Sequence, residues 1–260
     1  MSVKFTILGS GSGGNCTYIE TADARILVDA GFSPRQIRLR LQAIGRVPEN
    51  LTGILVTHEH SDHVKGLAGI AGKLNIPIFC NRATKDAFEY QLQVKFNCNL
   101  FNTGASFEIG DMQVDTFAVP HDAQDPVGYL IRTDTGNIGF VTDLGHATKL
   151  VLERIRPANV LVLESNHDVK MLQNCPHRPW SLKQRILGRH GHLSNAAAAE
   201  AAANIMSAEL KHLYLAHLSR ECNRPELAQN VMAEQLHQIG ARHVRLQIAA
   251  QDTPCSTLEL

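Results

Sequence analysis

The sequence carries no net charge: 25 Lys and Arg stand against 25 Asp and Glu in 260 residues. Any grip on nucleic acid must therefore be local, because no global basic field is present to attract a polyanion. No apolar run approaches the ~20 residues of a membrane-spanning helix. The N-terminal MSVKFTILGSGSGG has one Lys and a five-residue apolar stretch, too short for a secretory signal. The chain is therefore expected in the cytoplasm, away from membranes. Its six cysteines form no C-x-x-C pair, and without an export signal they read as reduced, mostly buried thiols. A hydrophobic fraction of 44% and a charged fraction of 19% exclude a disordered chain, a collagen-like repeat and a coiled coil. A chain of this length buries roughly 70–75% of its unfolded surface, so no disulfide staple is needed. What is abundant is histidine: thirteen residues, several of them in or just after short apolar runs.

Strand-like VKFTILG (3–9) and ARILVDA (24–30) bracket GSGSGGNCTYIE. Gly9, Gly11 and Gly14 fit G-x-G-x-x-G, but that dinucleotide fingerprint has to open a helix. Here it runs into CTYIE, another strand, so a tight glycine turn is the better reading. From residue 34 helices alternate with strands. SPRQIRLRLQAI has Ser33 as N-cap and Pro34 in the first turn. GILVT (53–57) and IPIFC (76–80) read as strands, VKGLAGIAGKL (64–74) and TKDAFEYQLQV as helices. SFEIG, MQVDTFAVP, VGYLIRT and NIGFVTD then form an antiparallel block, with turn signals at 110–111 and 135–137. Helices are predicted over 146–155, 180–188, 195–206 and PELAQNVMAEQLHQI, and strands over ANVLVLE (158–164), KHLYLAH (211–217) and HVRLQIAA. The predicted fold class is α/β: a four-layer αββα sandwich of two mixed sheets flanked by helices. No linker or charge run marks a boundary, so residues 1–260 read as a single domain.

The apolar strands end in metal-compatible side chains. GILVT runs into His58, MQVDTFAVP into His121, NIGFVT into Asp143 and HLYLA into His217, while VLVLE runs into Asn166, His167 and Asp168. Sites gather beyond the carboxyl ends of strands in such folds. One histidine after a strand is ordinarily a loop residue, but four such events at once are not coincidence. The densest signal is His58-Glu59-His60-Ser61-Asp62-His63, three imidazoles and a carboxylate within six residues. In an extended loop His58 and His60 point the same way and can grip one divalent ion. Asp62 and His63, at the start of the next helix, can grip a second. Glu59 faces away from its histidine neighbours.

The H-x-H-x-D-H motif with distal His121, Asp143 and His217 resembles the signature of the metallo-β-lactamase superfamily. The resemblance implies a first metal on His58, His60 and His121, a second on Asp62, His63 and His217, and Asp143 bridging both. VPHDAQDPVGY (119–129), VLESNHDVKML (162–172), GHLSN (191–195) and LAHLSRECN (215–223) look like the YycJ/WalJ-type family. That likeness implies exonuclease-like action on a nucleic acid, DNA foremost. GHLS and AHLS also resemble the GHST and TH-x-S motifs of ribonuclease Z. By that likeness His192 is a catalytic helper and His217 a ligand. The tRNA-binding arm of ribonuclease Z is not found here, nor is there room for the added nuclease domain of larger relatives. The di-iron branch carries H-x-E-x-D, whereas His60 fills the second slot here, which argues against redox iron chemistry.

Two divalent ions, Zn or Mn foremost with Fe also open, would lower the pKa of a shared water and clamp the oxygens of an in-line displacement. The expected chemistry is phosphodiester hydrolysis, with Asp62 orienting the nucleophile and His192 protonating the leaving oxygen. A small or cyclic phosphodiester, a thioester, or a binding role with little turnover are the competing readings. Judged by residue type alone, His192 reads as a capping-loop histidine ahead of the Ala-rich helix 195–206, which Ser194 caps; the helper role comes from the resemblance. Asn166 and His167 are substrate candidates that also serve as turn formers. Between Val169 and Ala199 stand Lys170, Arg178, Lys183, Arg185 and Arg189 with no acidic residue, and Trp180, the one tryptophan, sits among them. This predicts a phosphate-gripping strip including Lys183 and Arg185, with Trp180 free to stack on a base. The alternative is a solvated helix face with Trp180 in the core. His146 reads as structural.

Overall fold

The structure is a computed structural model that describes residues 2–260. Among these, fourteen strands form two seven-stranded sheets. The first sheet holds β1 (Lys4–Gly9), β2 (Cys16–Glu20), β3 (Arg25–Val28), β4 (Gly53–Leu55), β5 (Ile78–Cys80), β6 (Cys98–Leu100) and β14 (Leu258–Glu259), in the order β14-β1-β2-β3-β4-β5-β6. The second holds β7 (Ser106–Ile109), β8 (Met112–Ala118), β9 (Val127–Thr133), β10 (Gly136–Val141), β11 (Val160–Glu164), β12 (His212–Ala216) and β13 (Arg245–Ile248), in the order β13-β12-β11-β10-β9-β8-β7. Each sheet is half antiparallel and half parallel. β3 through β6 run parallel, as do β10 through β13. The middle block β7 to β10 is antiparallel, as its turn signals predict.

Strand periodicity assigns the layers. In β11, Val160 and Val162 join the core between the sheets while Leu161 and Leu163 face the helices. β3 does the same, with Ile26 and Val28 inward and Leu27 outward. Phe5 anchors the inter-sheet core, its ring centroid 5.2 Å from Tyr214 and 6.2 Å from Phe140. The first sheet's outer face is covered by α1 (Pro34–Ala43), α3 (Leu67–Leu74) and α4 (Arg82–Leu92). The second is covered by α5 (Lys149–Ile155), α8 (Asn195–Ile205) and α9 (Pro225–Gln238). Alanines 198, 199 and 202 let α8 lie close to the sheet. This is the predicted αββα sandwich.

Local chemistry sets the boundaries. Ser33 Oγ accepts from Gln36 N at the head of α1, with Pro34 in its first turn. The helix predicted over 146–155 begins only at Lys149, because Thr148 caps it, so His146 lies in the preceding loop. The helix predicted over 64–74 is broken into α2 (Ser61–Val64) and α3. The turn 10–15 joins β1 to β2, as its glycines predict, and no helix follows it. β6 and β14, with three and two residues, carry no sequence signal of their own.

Candidate metal centre

The carboxyl ends of β3, β4, β10, β11 and β12 converge, together with the segment after β8. Gly31 makes the convergence sterically workable: a Cβ there would lie 1.6 Å from the Asp62 carbonyl oxygen. The close approach is fixed by Asn15 N–H donating to that carbonyl at 2.8 Å and Ala30 N–H donating to the His63 carbonyl at 2.8 Å. Tyr129 Oη donates to the Val56 carbonyl at 2.6 Å and ties the second sheet to the motif loop. Asp29, Asp143 and His217 all adopt left-handed backbone, with φ of 61°, 55° and 56°. Such conformations cost of order 1–3 kcal/mol each and persist where the surroundings over-determine them. Three among the residues of one site mark it as built for a purpose other than stability.

The seven side chains singled out from the sequence come together. Ligand-capable atoms of His58, His60 and His121 lie within 4.8 Å of one another, and so do those of Asp62, His63 and His217. Asp143 touches both trios. Its Oδ1 is 3.7 Å from His121 Nε2 and 3.5 Å from His217 Nε2, and its Oδ2 is 3.1 Å from His63 Nε2. Each deep histidine spends one ring nitrogen on a structural partner. His58 Nδ1 meets Thr57 Oγ1 at 3.0 Å, His63 Nδ1 meets Asp29 Oδ2 at 2.7 Å, His121 Nδ1 meets the Gly191 carbonyl at 3.1 Å and His217 Nδ1 meets Glu164 Oε1 at 2.8 Å. This leaves Nε2 of His63, His121 and His217 facing the cluster, the usual orientation of metal-ligating imidazoles.

The donor set fits divalent cations. His58 Nε2 and Asp143 Oδ2 are buried and make no hydrogen bond, an arrangement native interiors rarely tolerate without a partner. Burial and the neighbouring His63 push the His58 pKa well down, so its ring is neutral and offers a lone pair. Burial raises the pKa of Asp143, but His217 and His63 outweigh it and hold the carboxylate well below its ordinary range. Neutral imidazole with carboxylate suits first-row divalent ions.

Behind the cluster sits Glu164, fully buried at the end of β11. Its Oε1 accepts from Nδ1 of both His192 and His217 at 2.8 Å, and its Oε2 accepts from the backbone N–H of Leu144 and Leu193 at 2.9 Å. Burial alone would raise its pKa, but the two histidines outweigh it and bring the value down to about 2. His192, 21% exposed at its side chain, lines a cavity of about 240 Å³ with His60, Asp62, Asp143 and His217. Burial opposes its protonation, yet Glu164 overrides that and raises its pKa. Gly145 lets this loop in, since a Cβ there would lie 2.2 Å from the Arg189 carbonyl.

A profile of the β-lactamase superfamily domain matches residues 24–218. The chain is 39% identical over 245 residues to exodeoxyribonuclease YycJ of Bacillus anthracis, covering 92% of this chain and 91% of that one. The chain belongs to the YycJ/WalJ family of the β-lactamase superfamily. A second relative in that family, exodeoxyribonuclease WalJ of Streptococcus pneumoniae, is 38% identical over 239 residues and 88% covered. Among solved structures, the metallo-β-lactamase fold protein YhfI of Bacillus subtilis superimposes over the whole of both chains, with a TM-score of 0.72 at 16% identity, and so shares the fold.

Other residues of this YycJ/WalJ-family chain fall less as the sequence suggests. Arg185 lines the cavity and pairs with Asp122. Lys183 does not join it: the side chain is buried and Nζ donates to the Gln173 carbonyl at 2.7 Å, tying α7 (Trp180–Leu187) to the end of α6 (Val169–Asn174). The predicted strip is therefore broken at that position, because the lysine stem packs inward and its charge is spent on backbone. Trp180 is exposed, so the core reading fails. Asn166 lines the cavity while its Nδ2 donates to the His217 carbonyl at 2.9 Å. His167 is buried, with both ring nitrogens unpartnered, and lies in none of the metal-capable groups among the described residues. Burial lowers its pKa to about 4. Glu59 accepts from Gln124 N–H, outside the cluster, and His146 Nδ1 meets the Arg189 carbonyl. Glu164 and Asp29 were not singled out from sequence. Their one signal is an acid closing an apolar run, VLVLE and ILVD.

Proposed function

We infer that the chain is a metal-dependent phosphodiesterase that degrades DNA as an exonuclease. The observation that carries this is the buried seven-residue cluster under an arginine-walled cavity, in a chain whose full-length relatives are named exodeoxyribonucleases. In this reading His58, His60 and His121 would hold one divalent ion and Asp62, His63 and His217 a second, with Asp143 shared between the two groups. Zinc or manganese suits the donors best. Bound there, the ions acidify water and offset charge on a phosphoryl group. Six free cysteines accord with action in a reducing cytoplasm.

The protein's own groups do the rest. Asp62, 3.3 Å from His217 Nε2 and partly open to the cavity, accepts a hydrogen bond from the attacking water and aims it. Arg185, with Arg178 on the same wall, receives the phosphate backbone. His192 gives a proton to the leaving oxygen. Glu164 holds its Nδ1, so Nε2 is the atom that delivers it.

The test is one assay of purified protein with each metal on linear duplex DNA, RNA and a small chromogenic phosphodiester. Loss of DNA from its ends, faster than hydrolysis of RNA, is expected. A preference for the small ester would favour the competing reading that the limited cavity volume also permits. His192→Ala is expected to slow DNA cleavage by about 10²–10⁴-fold and the activated ester far less. A general acid must be protonated, so wild-type rates on DNA fall as pH rises through the raised His192 pKa. The variant loses that limb. Equal losses on both substrates, with the limb retained, would refute the acid role.

A further inference from the structure

We propose that a second cavity, divided from the metal centre by residues 217–219, receives the sugar and nucleobase attached to the scissile phosphate and holds them without regard to base identity. The inference rests on the nuclease reading above and names how that substrate is seated. The cavity has a volume of about 400 Å³ and lies where the segments after β1, β12 and β13 meet. His217 lines the metal-side cavity, Leu218 lines the second, and Ser219 lines both. The two spaces are thus neighbours across one ridge of chain. Ser10 adds a second link: it lines the second cavity, and its Oγ accepts from the His217 N–H at 2.8 Å. The ridge is fixed in place. Ser219 N–H donates to the Asn166 carbonyl at 2.8 Å, Cys222 N–H donates to Ser219 Oγ at 3.2 Å, and the Cys222 carbonyl accepts from Asp168 N–H at 2.9 Å.

Three features select a nucleoside as the occupant. The first is size. The metal-side cavity of about 240 Å³ is smaller than the ~300–1,000 Å³ of pockets that enclose small molecules, so a base attached to a phosphate held there must lie beyond it. The second cavity, at about 400 Å³, falls within that range. The second feature is the lining. Leu218, Pro225, Ile248 and Ala250 offer apolar surface, which suits the flat face of a base. The third is that the polar groups around it are already committed to the protein. Gln251 accepts from Gly13 N–H at 2.7 Å and donates to the Gly14 carbonyl at 2.8 Å. Asn223 Nδ2 donates to the carbonyls of Ser165 and Asn166 at 2.9 and 3.0 Å. Ser10 Oγ donates to Asn15 Oδ1 at 2.8 Å, and Arg220 Nη2 donates to Asp252 Oδ1 at 2.6 Å. Groups engaged in this way do not read the donors and acceptors of base edges. An enzyme that removes whichever nucleotide comes next needs such an indifferent seat.

The experiment titrates metal-loaded protein with short single-stranded DNA carrying cleavage-resistant phosphorothioate linkages. Each strand bears a fluorescent label at one end and either a normal or an abasic nucleotide at the other, in both polarities, and binding is read from anisotropy. In one polarity the abasic end is expected to weaken binding about tenfold, the effect of withholding one base from apolar contact. The four normal bases at that end are expected to bind within about threefold of one another. Ala250 is exposed and lines the cavity, so Ala250→Leu fills the space without entering the core, which a thermal melt verifies. This variant is expected to bind the normal strand as weakly as wild type binds the abasic one, and to lose nothing further with the abasic strand. Equal binding of normal and abasic ends in both polarities would overturn the seat and leave the nuclease reading standing. So would losses from Ala250→Leu and the abasic end that add, because the base would then rest elsewhere. Failure of wild-type protein to bind any strand would remove both readings.

Discussion

Asp143→Asn is expected to lower DNA cleavage by ~1,000-fold or more while the protein stays folded. Its Oδ1 reaches His121 of one trio and His217 of the other, and its Oδ2 reaches His63, so the charge stands between the two groups of candidate ligands. Metal-held charge stabilisation is worth several kcal/mol in such reactions, and each 1.36 kcal/mol is a factor of ten. Asparagine isolates the effect of charge. Asp143 has φ of 55°, a left-handed conformation that asparagine accepts and most residues resist. An alanine variant would confound lost ligation with backbone strain. Steady-state rates beside a thermal melt decide the matter. Activity within tenfold of wild type would remove Asp143 from the centre of the mechanism.

Glu164→Ala should be the most destabilising change at the site. It strands four donors at once: the Nδ1 groups of His192 and His217 and the N–H groups of Leu144 and Leu193. Removing one partner of a buried charged network costs about 3–5 kcal/mol, which lowers Tm by ~10 °C in a chain of this size. Glu164→Gln separates geometry from charge. With its oxygen kept on the two backbone N–H groups, its NH₂ faces both imidazoles and forces their protons from Nδ1 to Nε2. His217 Nε2 then has no lone pair for a cation. Metal affinity is expected to fall about 10–100-fold with a smaller change in Tm. Unaltered metal affinity in Glu164→Gln would show that Glu164 does not set the tautomer.

The histidine cluster was legible because its spacing is local and each distal partner follows an apolar strand. Sequence order thus reports a convergence that β4, β8, β10 and β12 then perform. Glu164 and Asp29 were hidden because an acid after a strand looks like any surface turn until the fold buries it. Lys183 misled for the converse reason. Charge along a segment does not tell whether a lysine stem packs inward, and this one does. The indole of Trp180 was equally undecided, since helix α7 has only Lys183 and Ile186 buried and offers no clear apolar stripe to orient it. The two sheets were readable from period-two alternation, whereas β6 and β14 are too short to carry any pattern.

We infer that these side chains form a binuclear cation site. Its most direct test is the metal content of purified protein after equilibrium dialysis against Zn or Mn, with proton release followed by calorimetry in two buffers. Asp143 and its neighbours raise the pKa of His63 and His217 against the effect of burial, so binding must displace protons and affinity must rise with pH. Two ions per chain, bound with release of protons and reduced in Asp143→Asn, is the predicted result. A chain that binds one ion or none at saturation, or binds without releasing protons, would contradict it.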